Sequence, residues 1–274
     1  MIPETKTQES CLRIFGLRSR LIRKDDDICK ALEDAFSENG ISPQEGDIIV
    51  IAESALATAE GNIIPLADIV PSDSAINLAA DCRLDPREAE LIIREADYIF
   101  GGVSGAILTI KNGLLCPNAG IDNSNAPEGY VTLYPADPTK SAVRIRKAVS
   151  EKYGCNVGII VADSRTQPLR LGCTGVALGA AGFLAVEDKR GEEDLYGRKM
   201  TITRIAVADN LATAAEIVMG ETNASIPFAL IRDSGIRMIP EESGIELIPT
   251  DQCLYFGSFR KGFRTSRERV KSII

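Results

Sequence analysis

The chain has 274 residues, 45% of them hydrophobic, and a formal charge of -8 with no histidine. That length buries a sizeable core as one large domain or two compact lobes. The acidic balance argues against a nucleic-acid binder, whose phosphate contacts need a basic face. Lack of histidine excludes Ser-His and Cys-His nucleophile pairs, histidine general bases and His-containing zinc sites.

In chain order, residues 12–15 read as a short strand and 25–39 as a helix, with Ile28, Ala31, Leu32, Ala35 and Phe36 at helical spacing and Gly40 as its stop. Residues 47–52 form a buried strand. Residues 53–61 (Glu-Ser-Ala-Leu-Ala-Thr-Ala-Glu-Gly) read as a strand-to-turn edge because they are small and polar. Asp85-Pro86 with Glu88 is a strong helix start, carrying a helix to about Ala96. Residues 98–102 and 106–110 look extended, and Asn112-Gly113 between apolar runs is a type I′ hairpin signal. Asp137-Pro138 opens a helix to Tyr153, and 157–162 form a strand ending at Asp163. Residues 172–182 are mostly small; the glycines lack dinucleotide-fingerprint spacing, so close packing is the expectation. Residues 201–208 alternate as a strand, Asp209 caps a helix to Gly220, and a polar turn over 221–225 precedes a strand over 226–231.

The seven cysteines, at 11, 29, 82, 116, 155, 173 and 253, show no C-x-x-C spacing and read as reduced thiols in a cytoplasmic protein. No apolar stretch is long enough to span a membrane, and the amino terminus lacks an apolar signal core. Residues 257–274 set six Lys and Arg against one Glu and read as a solvated tail.

The candidate chemistry lies in three polar turns. Residues 118–125 (Asn-Ala-Gly-Ile-Asp-Asn-Ser-Asn) follow the apolar run 114–117, supplying a carboxylate, neutral oxygens and a glycine suited to positive φ. An Asx-stabilised loop with a solvated Asp122 accounts for that segment equally well. Asp163-Ser164 and Glu221 add two carboxylates and a hydroxyl, a donor set for hard divalent cations bridging phosphates. Asp122 and Asp163 each stand just past an apolar strand, the position at which sheets of the α/β type bind ligands. No Walker A sequence is present.

These motifs, with Glu128-Gly129, Arg170, Gly172, residues 194–198 (Asp-Leu-Tyr-Gly-Arg), Ala208-Asp209 and residues 219–221 (Met-Gly-Glu), resemble in order the gamma-glutamyl ligases of the deazaflavin coenzyme F420, over about residues 12–232. The resemblance implies an enzyme that uses GTP and two Mn²⁺ or Mg²⁺ ions to join L-glutamate to the carboxylate of the deazaflavin precursor through an acyl phosphate. It implies Asp122 and Asp163 as catalytic ligands of one metal, and Ser164 and Glu221 as serving the second. Nucleotide contacts fall on Gly16, Leu17, Ser54, Asn125 and the turn Glu221, Thr222, Asn223, Ala224, Ser225. The implied fold is α+β, with largely antiparallel sheets and packed helices, two lobes (12–135 and 136–250), a basic tail (251–274) and a site built by a homodimer. Helix and strand alternation is compatible with that fold and equally with a doubly wound sheet.

The chain also departs from the family pattern. The family's Gly-Leu-Pro segment is here Gly16-Leu17-Arg18 and about two residues longer, a family lysine falls on Thr58, and a Gly-Arg pair falls on Thr166-Gln167. Arg18, Arg20 and Arg165 are the cations placed to compensate. A rival expectation is a non-catalytic or substrate-divergent paralogue that binds nucleotide or deazaflavin without turnover.

Overall fold

The computed structural model describes residues 11–240 and 244–259. The elements are β1 (Arg13–Leu17), α1 (Ile28–Glu38), β2 (Ile48–Ala52), α2 (Glu53–Ala59), β3 (Ile63–Pro65), α3 (Asp73–Cys82), α4 (Pro86–Glu95), β4 (Tyr98–Val103), β5 (Ala106–Lys111), β6 (Leu114–Pro117) and β7 (Tyr130–Thr132). They continue with α5 (Pro138–Tyr153), β8 (Gly158–Thr166), β9 (Cys173–Ala181), β10 (Val186–Asp188), β11 (Arg204–Ala206), α6 (Val207–Met219), β12 (Phe228–Arg232) and α7 (Leu254–Phe259). The fold is mixed α+β, and its strand pairs are antiparallel except β2 with β8, among the described residues.

The central sheet has the order β1-β12-β2-β8-β9, so it draws two strands from before residue 135 and three from after it. Ile48, Ile49, Val50 and Ile51 are all fully buried because both faces of β2 are covered. Ile49 and Ile51 meet α1 and α5 through Leu32, Phe36 and Ile145, whereas Ile48 and Val50 meet α6 through Leu211 and Ala215. A strand buried on both sides reads as a continuous apolar run rather than an alternation. The small residues of β9 serve the expected close packing: a Cβ on Gly175 would stand 2.4 Å from the Ala212 carbonyl oxygen of α6, and one on Gly179 2.5 Å from the backbone of Pro138 at the start of α5.

A three-stranded sheet, β4-β5-β6, packs with α3 and α4 around Cys82, Leu91, Ile92, Ile107 and Ala119. Asn112 and Gly113 both take positive φ, 51° and 76°, as the expected β5–β6 turn requires. Sequence reading omitted α3, although Ser72 caps it by accepting from the Ala75 amide at 3.3 Å.

Four expectations are corrected. Glu53–Ala59 of the 53–61 segment form helix α2 rather than a strand-to-turn edge, and only residues 60–61 are turn; the adjacent Leu56 and Ala57 are both fully buried, so burial is helical rather than alternating. β8 does not stop before Asp163 but runs to Thr166, because residues 163–166 keep pairing with β9 after β2 has ended. Only residues 204–206 of the 201–208 stretch form a strand, and α6 begins at Val207. Asp209 therefore lies in the first helical turn, where its Oδ1 accepts from the Ala177 amide at 2.9 Å and ties α6 to β9 instead of capping. Of the expected tail, residues 254–259 form α7, and 260–274 lie outside the described residues.

All seven cysteines are free thiols. No described helix is long and apolar enough to cross a membrane.

Candidate active site

The parallel β2–β8 register sets Ala52 opposite Ala162, so Glu53 and Asp163 emerge side by side from one sheet edge. β1 ends at the same edge: Leu17 pairs with Phe228 of β12, which pairs with Ile51 of β2. Asp122 reaches this edge from outside the sheet. Residues 118–120 all take positive φ (52°, 53° and 74°) and swing the chain out of β6. The strained turn is fastened at each step. Asn118 Oδ1 accepts from the Ile107 amide at 2.8 Å, and the Ala119 amide donates to Thr109 Oγ1 at 2.8 Å. Gly120 is required here: a Cβ would stand 2.5 Å from the Tyr134 ring. Beyond the turn, Asp122 exchanges backbone hydrogen bonds with Thr132 at 2.8 and 3.1 Å.

These pieces enclose a cavity of about 340 Å³. Glu53, Asp122, Asp163, Glu216 and Glu221 all line it, beside Ser54, Asn125, Tyr134 and Ser164, and among the described residues its lining holds no Lys or Arg. Asp163 is held by three-dimensional partners: it accepts from the Tyr134 hydroxyl and, at 2.9 Å, from Arg165 Nε. Arg165 also donates from Nη1 to the Leu115 carbonyl at 2.8 Å, while its buried Nη2 has no hydrogen-bond partner. Ser164 Oγ donates to Glu221 Oε2 at 2.8 Å, joining this hydroxyl to its carboxylate across 57 residues of chain. Asp122 instead accepts from the amide of Ser124 at 3.0 Å and from its hydroxyl.

Charge crowding marks the cavity. Burial, then the charges of Asp163 and Asp122, push the Glu53 carboxyl up to about 8. Burial and then the neighbouring Glu221 push Glu216 up to about 7. Burial raises the Tyr134 phenol, reinforced by the Asp163 charge, so the phenol stays a proton donor to that carboxylate. Burial opposes the charge of Arg165, but Tyr134 and Asp163 together hold its pKa above the ordinary value.

The residues expected from sequence fall into two groups. Asp122, Asp163, Ser164, Glu221, Ser54 and Asn125 line the cavity together. Gly16, Leu17, Thr222, Asn223, Ala224 and Ser225 do not; they border it at the β1–β12 end, where the Ser19 amide donates to the Ser225 carbonyl at 3.0 Å. Leu17 is fully buried, main chain included. Of the compensating cations, Arg20 pairs with Asp26 at 2.6 Å and Arg165 with Asp163, so neither is free for an anion in the cavity. Thr58 lies on α2 outside the lining, and Gln167 donates from Nε2 to Thr174 at 3.3 Å.

Sequence reading missed Glu53, Tyr134 and Glu216. Glu53 follows an apolar strand directly, as Asp163 follows Ala162, and that parallel was the one local signal. Tyr134 and Glu216 carried none.

As donors, the two pairs Asp122 with Asp163 and Ser164 with Glu221 offer hard oxygens suited to Mg²⁺ or Mn²⁺. No three carboxylates or thiols converge as a ready-made metal site among the described residues. An ion here would keep water or phosphate oxygens in its shell, the usual habit of Mg²⁺.

A family model described as F420-0:gamma-glutamyl ligase matches residues 16–233. The chain belongs to the F420-0:gamma-glutamyl ligase family. Coenzyme F420:L-glutamate ligase of Methanopyrus kandleri is 41% identical over 214 residues, which is 78% of this chain and 83% of that protein. The Methanothermobacter thermautotrophicus ligase of the same name is 41% identical over 213 residues (77% and 84%). The Methanococcus maripaludis ligase is 36% identical over 243 residues, covering 88% of this chain and 96% of its own. The matched span of the F420-0:gamma-glutamyl ligase model begins in β1 and ends just after β12, and so contains every wall of the acidic cavity.

Proposed function

We propose that this chain is a GTP- and divalent-metal-dependent ligase that joins L-glutamate to the carboxylate of the coenzyme F420 precursor through an acyl phosphate. One observation carries the reading: a cavity lined by five carboxylates and, among the described residues, by no cation, in a chain whose relatives are named as ligases. A triphosphate enters such a cavity only with cations.

In the first step an acceptor carboxylate oxygen attacks the γ-phosphorus of GTP, the bond to the β-γ bridging oxygen breaks, and GDP leaves. In the second, the neutral glutamate amine attacks the acyl carbon, the bond from that carbon to the phosphate oxygen breaks, inorganic phosphate leaves with the electron pair, and the nitrogen releases one proton to become the amide N–H. Two Mn²⁺ or Mg²⁺ ions would neutralise the phosphates and align the reacting oxygens. Asp122 and Asp163 would hold one ion, and Ser164 with Glu221 the second. Tyr134 and Arg165 keep Asp163 in one rotamer. Ser54 and Asn125 would contact nucleotide from inside the cavity, and Gly16 and residues 222–225 from its β1–β12 rim, which the buried Leu17 supports from behind. Positioning and charge neutralisation are what such a transfer needs, so a chain without histidine loses nothing essential.

We assign the enzyme to the cytoplasm and to a homodimer of two-lobed protomers. The fully exposed Leu169 and Leu171 on the β8–β9 connection, with Leu195 and Tyr196, support a second copy covering these surfaces. Light scattering on a size-exclusion column measures that assembly directly.

The deciding assay incubates purified protein with GTP, Mn²⁺, L-glutamate and the unglutamylated precursor. GDP together with a mass gain of one glutamyl unit supports the ligase. GDP alone points to a different acceptor. Neither product, with precursor or nucleotide still bound, makes the chain the non-catalytic paralogue.

A further inference from the structure

Beside the acidic cavity lies a second, larger one of about 930 Å³ whose lining contains none of the five carboxylates. The floor is the β4-β5-β6 sheet. The walls are α7 and the root of the β8–β9 ribbon at residues 165–168. Tyr98, Phe100, Val103 and Leu108 of the floor are 65%, 49%, 72% and 43% exposed, and Phe100 packs on Phe256 of α7 with ring centroids 5.1 Å apart. Arg165 is the one charged side chain in the lining among the described residues.

The two cavities share Pro117, and the 2.9 Å ion pair between Asp163 and Arg165 stands between them, with Asp163 lining one and Arg165 the other. On the opposite flank, the acidic cavity is bordered by the β1–β12 end. The molecule therefore offers a charged centre with a backbone-rich rim on one side and an aromatic groove on the other.

We propose that this groove seats the planar ring system of the acyl acceptor, with its carboxylate directed past Pro117 toward the acidic cavity. This assignment rests on the ligase reading above and says where its acceptor binds. The chemistry selects among the three ligands of the reaction. Glutamate is small and doubly charged and gains nothing from apolar walls. A triphosphate would bring several charges to a groove holding one cation. A flat heteroaromatic ring carrying a single reactive carboxylate matches aromatic walls, ample volume and one guanidinium.

The test uses the intact protein and the unglutamylated deazaflavin precursor, followed by its own fluorescence, with Leu108→Glu and Val103→Glu as separate variants. Each places a charge at an exposed groove position and is expected to weaken precursor binding by at least about tenfold. Thermal stabilisation by Mn²⁺ and GTP should remain at the wild-type value, which also reports that the variants fold. Riboflavin, a related ring without the acceptor carboxylate, should compete with precursor and leave GTP binding alone. Unchanged precursor affinity in both variants overturns the groove, as does loss of GTP binding in step with precursor, which would put the nucleotide base there. Wild-type protein that glutamylates the precursor while the variants keep its KM removes the groove alone. Precursor binding that is sensitive to Leu108→Glu, without turnover, removes the ligase reading and keeps the groove.

Discussion

Asp122 and Asp163 face one cavity but are held in opposite ways. Asp122 is exposed, and its carboxylate is bound by Ser124, two residues away in the same turn. Asp163 lies on a sheet strand and is gripped by Tyr134 and Arg165, the first of them 29 residues distant. A carboxylate tied only to its own turn can rotate to meet an ion, whereas one fixed by an ion pair and a phenol presents its remaining oxygen in a set direction. The site thus combines an adjustable ligand with a preorganised one, and rigid placement is what phosphoryl transfer rewards.

The largest expected effect breaks both sides of this contrast. Asp163→Asn and Asp122→Asn should each lower glutamyl transfer by on the order of 10³-fold and abolish metal-dependent stabilisation by GTP, read by thermal melting. Unchanged stabilisation in either variant removes that residue from the ion site. Tyr134→Phe sharpens the contrast: loss of one hydrogen bond to a charged group, about 1.5–3 kcal/mol, should cost roughly 10- to 100-fold in kcat/KM. Ser124→Ala should cost less than about tenfold, because Asp122 retains the amide of residue 124. Equal losses in these two variants would erase the distinction between the carboxylates.

Burial of Glu53 beside the charges of Asp163 and Asp122 has its own signature. Glu53 has a folded-state pKa raised to about 8, so the protonated carboxyl favours the fold. That contribution is full below the unfolded value near 4.5 and is lost as pH rises through about 8. Melts of metal-free protein from pH 5 to 8.5 should show wild type losing stability relative to Glu53→Gln, by on the order of a few kcal/mol. Saturating Mn²⁺ should flatten that slope, since a bound cation favours the ionised form. A wild-type curve parallel to that of the variant would mean Glu53 does not feel the other carboxylates.

Helices with a cap and a clean apolar period were legible in the chain, as α1, α4 and α5 show with Asp27, Asp85 and Asp137 at their starts. The β5–β6 turn was legible because Asn112-Gly113 admits positive φ at both positions. Helix α2 was not, since Ser54, Ala55, Ala57, Thr58 and Ala59 carry little periodic signal, and what folds them is burial of Leu56 and Ala57 behind β2. The end of β8 was misplaced because Asp163 and Ser164 look like a turn locally. Their hydrogen bonds come from β9, a partner that composition cannot specify.

By itself the sequence determined which groups are available: oxygen donors in three short motifs, no imidazole anywhere, and a strained, glycine-dependent turn that presents Asp122. Tertiary structure decided which of them share a cavity. A carboxylate contributes to a site through distance, and distances here are set by the β2–β8 register, the β8–β9 ladder and the approach of Tyr134, contacts that span from 7 to 110 residues of chain. Those contacts brought in Glu53, excluded Arg20 and turned Arg165 from a candidate phosphate ligand into the clamp on Asp163.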